Sequence, residues 1–162
     1  LTAAEVALLG REEREYALKR ALVTAASQYD WVIIDCPPSL NILTLNALAA
    51  ADSVLIPMQC EYYALEGLTG LVNTIEQVQT SINPDLQIEG LLRTMFDVRN
   101  NLSDAVSEQL LENFGDKVYR TVIPRNVRLA EAPGFGLPVL YHDRQSKGAQ
   151  AYLELAKEIL NA

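Results

Sequence analysis

The chain has 162 residues, of which 49% are apolar and 21% charged, and a formal net charge of −8. That length gives one domain with a sizeable core, and the apolar content, free of any low-complexity run, excludes a disordered chain. No apolar run approaches the ~20 residues of a membrane span, and the acidic balance argues against a chain that binds nucleic acid over its whole surface.

The N-terminal stretch reads as a polar helix rather than a secretory leader. Thr2 and Glu5 fit a capping box, and apolar residues recur through Tyr16, Leu18, Leu22 and Val23, with an interruption at Gly10. Trp31-Val32-Ile33-Ile34 then run straight into Asp35. Such a run predicts a strand buried on both faces, as in a parallel sheet covered by helices, with Asp35 at its carboxyl end. Pro37 and Pro38 stiffen the exit, and Ser39 is placed to cap a helix through Leu40, Leu43, Leu45, Ala47 and Leu48.

Ser53–Pro57 is a second buried strand, followed by a helix over about 65–82 with Leu68, Leu71, Val72, Ile75 and Val78 on one face. Asn83-Pro84-Asp85 is a turn and Ile88–Phe96 a third strand. Ser103 is placed to cap a helix carrying Val106, Leu110, Leu111 and Phe114, and Val118–Ile123 is a short strand. A proline- and glycine-rich loop leads to Val139-Leu140-Tyr141, and Ser146 caps the last helix. Strands alternating with helices predict an α/β fold, a doubly wound and mostly parallel sheet with helices on both faces. No repeat or linker divides residues 1–162. Cys36 and Cys60 lack metal-ligand spacing and read as two buried thiols of a reducing compartment.

Charge is uneven. Residues 1–81 carry 4 basic and 10 acidic side chains, residues 82–162 carry 9 and 11. The second half is therefore mixed, and a local basic face is compatible with it. Arg99 follows a strand, and Arg144 and Lys147 precede the last helix; each alone reads more readily as a solvated charge than as a DNA contact.

Three loops follow strands, where open α/β sheets hold their ligands. Asp35 has the form of a Walker B aspartate, which serves a nucleotide-bound magnesium ion, although any buried strand must end on a polar residue somewhere. The loop from Pro57 to Gly67 presents Glu61 and Glu66, which a helix N-terminus also favours. In Pro124-Arg125-Asn126-Val127-Arg128, the Asn126 amide can read a purine edge and the arginines can hold phosphate; a solvated turn is the plain alternative. Tyr62-Tyr63 reads as half-buried packing, and His142 receives no role. No G-x-x-x-x-G-K-[ST] occurs, and none of the eight glycines can form a phosphate cradle.

Together these segments resemble the ParA/Soj family of chromosome- and plasmid-partitioning ATPases. The resemblance runs through Tyr29–Leu40, Leu45-Asn46-Ala47-Leu48, Pro57–Leu68, Val122–Pro133 and Ser146–Tyr152. It implies a P-loop NTPase fold of the deviant Walker A type, here as its C-terminal portion without the first strands. By position, Asp35 resembles the carboxylate that holds magnesium through water, Cys36-Pro37-Pro38 the switch II turn, and Pro124 and Asn126 the adenine contacts. Arg99, with Arg125, Arg128 or both, resembles the arginines that hold non-specific DNA, and Lys147 is a further candidate for that face. The resemblance also implies ATP and Mg2+ as ligands, an ATP-dependent homodimer, nucleoid DNA and a ParB-type partner, and a cytoplasmic, nucleoid-associated protein. The same-fold alternative, a MinD-type ATPase, anchors through a basic tail. The tail Glu154–Ala162 has two Glu and one Lys, which anionic lipid would not attract. A non-catalytic binding module derived from the fold is the alternative from another class.

Overall fold

The computed structural model describes residues 2–37 and 39–161. The side chain of Thr2, half of the expected capping box, and Pro38 of the expected switch turn lie outside the described residues. The elements in chain order are α1 (Thr2–Leu9), α2 (Ala17–Ala26), α3 (Ile42–Ala50), β1 (Ser53–Gln59), α4 (Tyr62–Ser81), β2 (Gln87–Phe96), α5 (Asn101–Phe114), β3 (Val118–Pro124), α6 (Val127–Glu131), α7 (Val139–His142) and α8 (Lys147–Leu160). The strands form one sheet in the order β1-β2-β3, with β2 and β3 parallel and in register at Leu91↔Val118, Arg93↔Val122 and Phe96↔Pro124. This is the expected α/β fold, a parallel sheet flanked by helices.

The chain divides into two compact units. The first comprises Leu1–Val54 and Gly70–Gln87. Its helices are tied by buried amides rather than by charge. Asn46 Oδ1 accepts the Leu18 N–H at 3.0 Å, while its Nδ2 donates to the carbonyls of Arg14 (2.9 Å) and Ile42 (2.8 Å). Asn83 Nδ2 donates to the carbonyls of Leu48 and Ala51, which closes the end of α3. Both side chains are nearly inaccessible, so each unmade bond would leave a buried polar group unsatisfied.

The second unit comprises Leu55–Thr69 and Ile88–Ala162. Its core joins Leu92, Tyr119, Ile123 and Leu155, with Leu55, Leu129, Ala151 and Ile159 packed around them. Burying each of the large aliphatic side chains contributes about 1.5–3 kcal/mol. Helix α8 packs along β3. Its amphipathic face follows from the apolar spacing of Ala149, Leu155 and Ile159.

Several sequence expectations are corrected. Trp31–Asp35 forms no strand or helix and pairs with no strand among the described residues, and Trp31, Val32 and Ile33 are 58%, 45% and 90% exposed. An apolar run of this kind becomes a buried strand only between two neighbours. Helix α3 is capped by Asn41, whose side chain accepts from Leu43 N and Thr44 N, not by Ser39. Asn100 caps α5, and Ser103 lies buried inside it. Val139–Tyr141, for which the sequence predicts no particular element, is helical, with Tyr141 N and His142 N both bonded to the Pro138 carbonyl. Cys60 is buried as expected, but Cys36 is exposed. Tyr62 and Tyr63 are 71% and 79% exposed rather than half-buried. The interruption at Gly10, the Ser146 cap and strands β1, β2 and β3 follow the sequence.

Candidate functional site

In the first unit the candidate residues sit on an irregular segment that precedes the Asn41 cap. The Asp35 carboxylate is exposed and has no hydrogen-bond or ion-pair partner among the described residues. Cys36 Sγ lies 3.8 Å from the Ile34 carbonyl. Partial burial raises the Cys36 thiol pKa, and the neighbouring Asp35 charge raises it further, so this thiol stays protonated and is not an activated nucleophile. The donor chemistry fits a magnesium ion of the kind a nucleotide brings. Mg2+ takes one or two carboxylates and otherwise water and phosphate oxygens, and a solvated single carboxylate meets that need. No cluster of three or more His, Cys, Asp or Glu side chains suited to a metal occurs among the described residues.

In the second unit the candidate residues gather where the strands end. A pocket of about 230 Å³ opens there, lined among others by Cys60, Glu61, Met95, Asp97, Asn100 and Arg125. These residues follow the carboxyl ends of β1, β2 and β3, the edge at which open α/β sheets bind ligands. Two local features shape the rim. Between the Arg93↔Val122 and Phe96↔Pro124 pairs, two residues of β2 oppose one of β3, a register shift of the β-bulge type. Met95 at that point adopts φ 51°, a left-handed conformation that non-glycine residues seldom hold and that concentrates at functional sites. Beyond it the Arg125 N–H bonds the Phe96 carbonyl at 3.0 Å and continues the pairing of β2 with β3.

The arginines are placed unequally. Arg99 grips Asp97 with two parallel bonds, Nε to Oδ1 at 2.9 Å and Nη2 to Oδ2 at 2.8 Å, while its own N–H also donates to Oδ1. Those hydrogen bonds, with smaller help from the charges of Arg99 and Arg125, lower the Asp97 pKa to about 2. The same bonds raise the Arg99 pKa. Arg128 Nη1 meets Glu131 Oε2 at 2.7 Å and its Nε lies 3.4 Å from Asp143 Oδ2, so its charge is already compensated. The hydrogen bond from Arg128 leads the causes that lower the Glu131 pKa. Arg125 and Lys147 are exposed and have no ion pair among the described residues. Arg128 and Lys147 flank a tight contact, because a Cβ on Gly148 would fall 2.5 Å from Leu129 Cγ.

Asn126 caps α6, its Oδ1 accepting the Arg128 N–H at 3.0 Å. That bond uses the amide oxygen, and the NH2 has no partner among the described residues. Sequence reasoning missed Asp97, Glu131 and Asp143, the carboxylates that partner the arginines. The Asp-x-Arg spacing at 97–99 and the i,i+3 spacing of Arg128 and Glu131 were the available signals.

A protein-family model described as AAA domain matches residues 1–88. Among curated relatives, the sporulation initiation inhibitor protein Soj of Bacillus subtilis is 57% identical over 98% of this chain and 63% of its own length. The chromosome partitioning protein ParA of Myxococcus xanthus is 54% identical over 99% of this chain and 56% of its own. The crystal structure of cobyrinic acid a,c-diamide synthase from Mycobacterium smegmatis with bound ADP and magnesium superposes with a TM-score of 0.80 at 42% identity, covering 98% of this chain and 58% of that one. The chain thus spans about three-fifths of the length of the relatives it matches.

Proposed function

Because the chain belongs to the family of ParA/Soj-type chromosome-partitioning ATPases, we propose that it supplies the DNA-facing and base-facing part of such an ATPase, acting in DNA segregation. The observation that carries this reading is the grouping of Asp97, Arg99, Asn100 and Arg125 at the carboxyl ends of the strands, beside the capped Asn126. The names of the two curated relatives, at 57% and 54% identity, support it over the activity named for the structural neighbour at 42%.

In this reading the full-length polypeptide binds ATP. Asp35 holds a water of the magnesium shell, and Cys36-Pro37-Pro38 form the turn that responds to the γ-phosphate. Pro124 and the Asn126 NH2 face the adenine. A magnesium ion held there through Asp35 would supply charge neutralisation for phosphoryl transfer. Arg99 and Arg125 hold phosphates of non-specific duplex, with Arg128 and Lys147 at the edge of that face. Such contacts carry affinity without sequence preference and weaken steeply with salt. An ATP-dependent homodimer, a ParB-type partner that triggers hydrolysis and a nucleoid location in the cytoplasm belong to the same proposal. Among the described residues no helix is long and apolar enough to cross a membrane.

The test is retention of non-specific duplex by the full-length protein with ATP and Mg2+ as salt is raised. Arg99→Ala and Arg125→Ala are each expected to weaken it, and unchanged retention in both removes the DNA face. The 162-residue chain alone, with no phosphate cradle in its sequence, is expected to show no ATP turnover above a buffer blank.

A further inference from the structure

Arg99 is 85% exposed at its side chain, open to a polyanion from solvent, yet its guanidinium is not free. The edge made by Nε and Nη2 is spent on Asp97. That edge presents two parallel N–H groups, and it is also a good edge for gripping a phosphate bidentately. Asp97 is only 28% exposed at its side chain and lines the strand-end pocket with Arg125. One carboxylate therefore sits against two of the cations placed on the DNA face.

We propose that Asp97 is an internal competitor for nucleic-acid phosphate, which engages the gripping edge of Arg99 and offsets the charge of Arg125, and so holds non-specific affinity below what the two arginines would give alone. The inference rests on the DNA-binding reading of Arg99 and Arg125. Geometry gives the direction of the effect. A phosphate arriving at Arg99 must displace the carboxylate or share the guanidinium with it, and in both cases a fixed negative charge stays within a few ångströms of the incoming one. The carboxyl remains ionised throughout the neutral range, because the Arg99 hydrogen bonds hold it far below ordinary carboxylates. Asp97 also shapes the turn into α5, since its Oδ1 accepts the Arg99 N–H and its carbonyl the Asn100 N–H. Asp97→Asn keeps an oxygen for that turn while removing the charge.

The experiment measures binding of the full-length protein with ATP and Mg2+ to non-specific duplex across a salt series. Asp97→Asn is expected to tighten binding about two- to fivefold at low salt, the range an exposed ion pair can release. It should also steepen the dependence of log K on log salt by about one phosphate contact. Glu154→Gln is the control: it neutralises an equal charge at another exposed ion pair, with Lys157, and should give a smaller gain. Asp97→Asn added to Arg99→Ala should gain less than Asp97→Asn alone. Asp97→Ser, whose hydroxyl can also support the turn, is the second variant if the first is poorly folded. Unchanged or weaker binding in a folded Asp97 variant overturns the competitor role. If Arg99→Ala and Arg125→Ala themselves leave binding unchanged, the DNA-binding reading fails instead.

Discussion

The Arg93 guanidinium donates to Ser107 Oγ at 2.9 Å in the interior of the second unit, with no carboxylate partner among the described residues. Its Nη2 also donates to the carbonyls of Tyr119 and Arg120, so one buried cation joins β2, β3 and α5 through neutral acceptors. Among the described residues neither Arg93 Nε nor Tyr119 Oη has a hydrogen-bond partner. The arrangement leaves no spare acceptor, and a lost one is felt in full. Ser107→Ala is expected to destabilise by about 1.5–3 kcal/mol, the range for a hydrogen bond to a charged group. A fall in the urea midpoint at unchanged slope measures it.

Glu158 latches α8 to β3. Its two carboxylate oxygens accept the N–H groups of Arg120 at 2.7 Å and Thr121 at 2.9 Å. Burial pushes its pKa up, but the hydrogen bonds from Thr121 and Arg120 outweigh it and the net shift is downward. A carboxyl depressed in the folded state stabilises the fold above its unfolded pKa of about 4.3, and that contribution is lost as pH falls through the folded value. Glu158→Gln is therefore expected to cost about 1 kcal/mol at neutral pH. The gap from wild type should close below about pH 4, as read by denaturation midpoints at several pH values.

Gly148 is fixed by contact rather than by backbone angle. A Cβ there would meet Leu129 Cγ at 2.5 Å and Cδ1 at 2.7 Å. Alanine would gain up to about 1 kcal/mol in helix propensity, while overpacking costs about 1–3 kcal/mol. Gly148→Ala is expected to be net destabilising. Leu129→Ala combined with it should cost less than the two single changes added together. Additive melting shifts would mean that the contact does not couple α6 to α8.

The three paired strands were legible in the sequence because β-branched and apolar runs lay between turn residues. The run Trp31–Ile34 had the same signal and did not become a strand, since pairing is a property of neighbours and not of the run. Two helix caps were misplaced for a simpler reason. Ser39 competes with Asn41, and Ser103 with Asn100, at nearly equal capping strength, so spacing alone could not choose. The arginines of the site were legible as charges, but their pairing was not. Asp97 and Glu131 stand at pairing distance in the sequence, but the ion pairs themselves are set by the backbone turns that bring the side chains alongside.

Asn126 carries two separable duties, the α6 cap shown by its Oδ1 bond to Arg128 N and the proposed adenine contact through its NH2. Asn126→Ala should remove both, with a stability loss of about 1 kcal/mol. Asn126→Ser keeps a capping oxygen and removes the amide donor. It is expected to restore most of the stability while nucleotide affinity of the full-length protein stays reduced. Equal affinity for wild type and the serine variant in a nucleotide titration would leave Asn126 with the cap alone.

Ile33 offers the sharpest contrast between this chain and the longer relatives. At 90% exposure it touches little here, so Ile33→Lys should change the stability of the 162-residue chain by no more than about 0.5 kcal/mol. An exposed apolar segment outside any strand or helix can pair with another chain. A lysine within it should therefore suppress self-association, lowering turbidity on warming and sharpening the size-exclusion peak. In the full-length protein the outcome should reverse. If the remaining two-fifths supplies the strands that cover Trp31–Ile34, a lysine at position 33 is a buried unpaired charge, and destabilisation by several kcal/mol follows. A full-length variant that melts with wild type would mean that the run stays uncovered there too, and that Asp35 is not carried at the end of a buried strand.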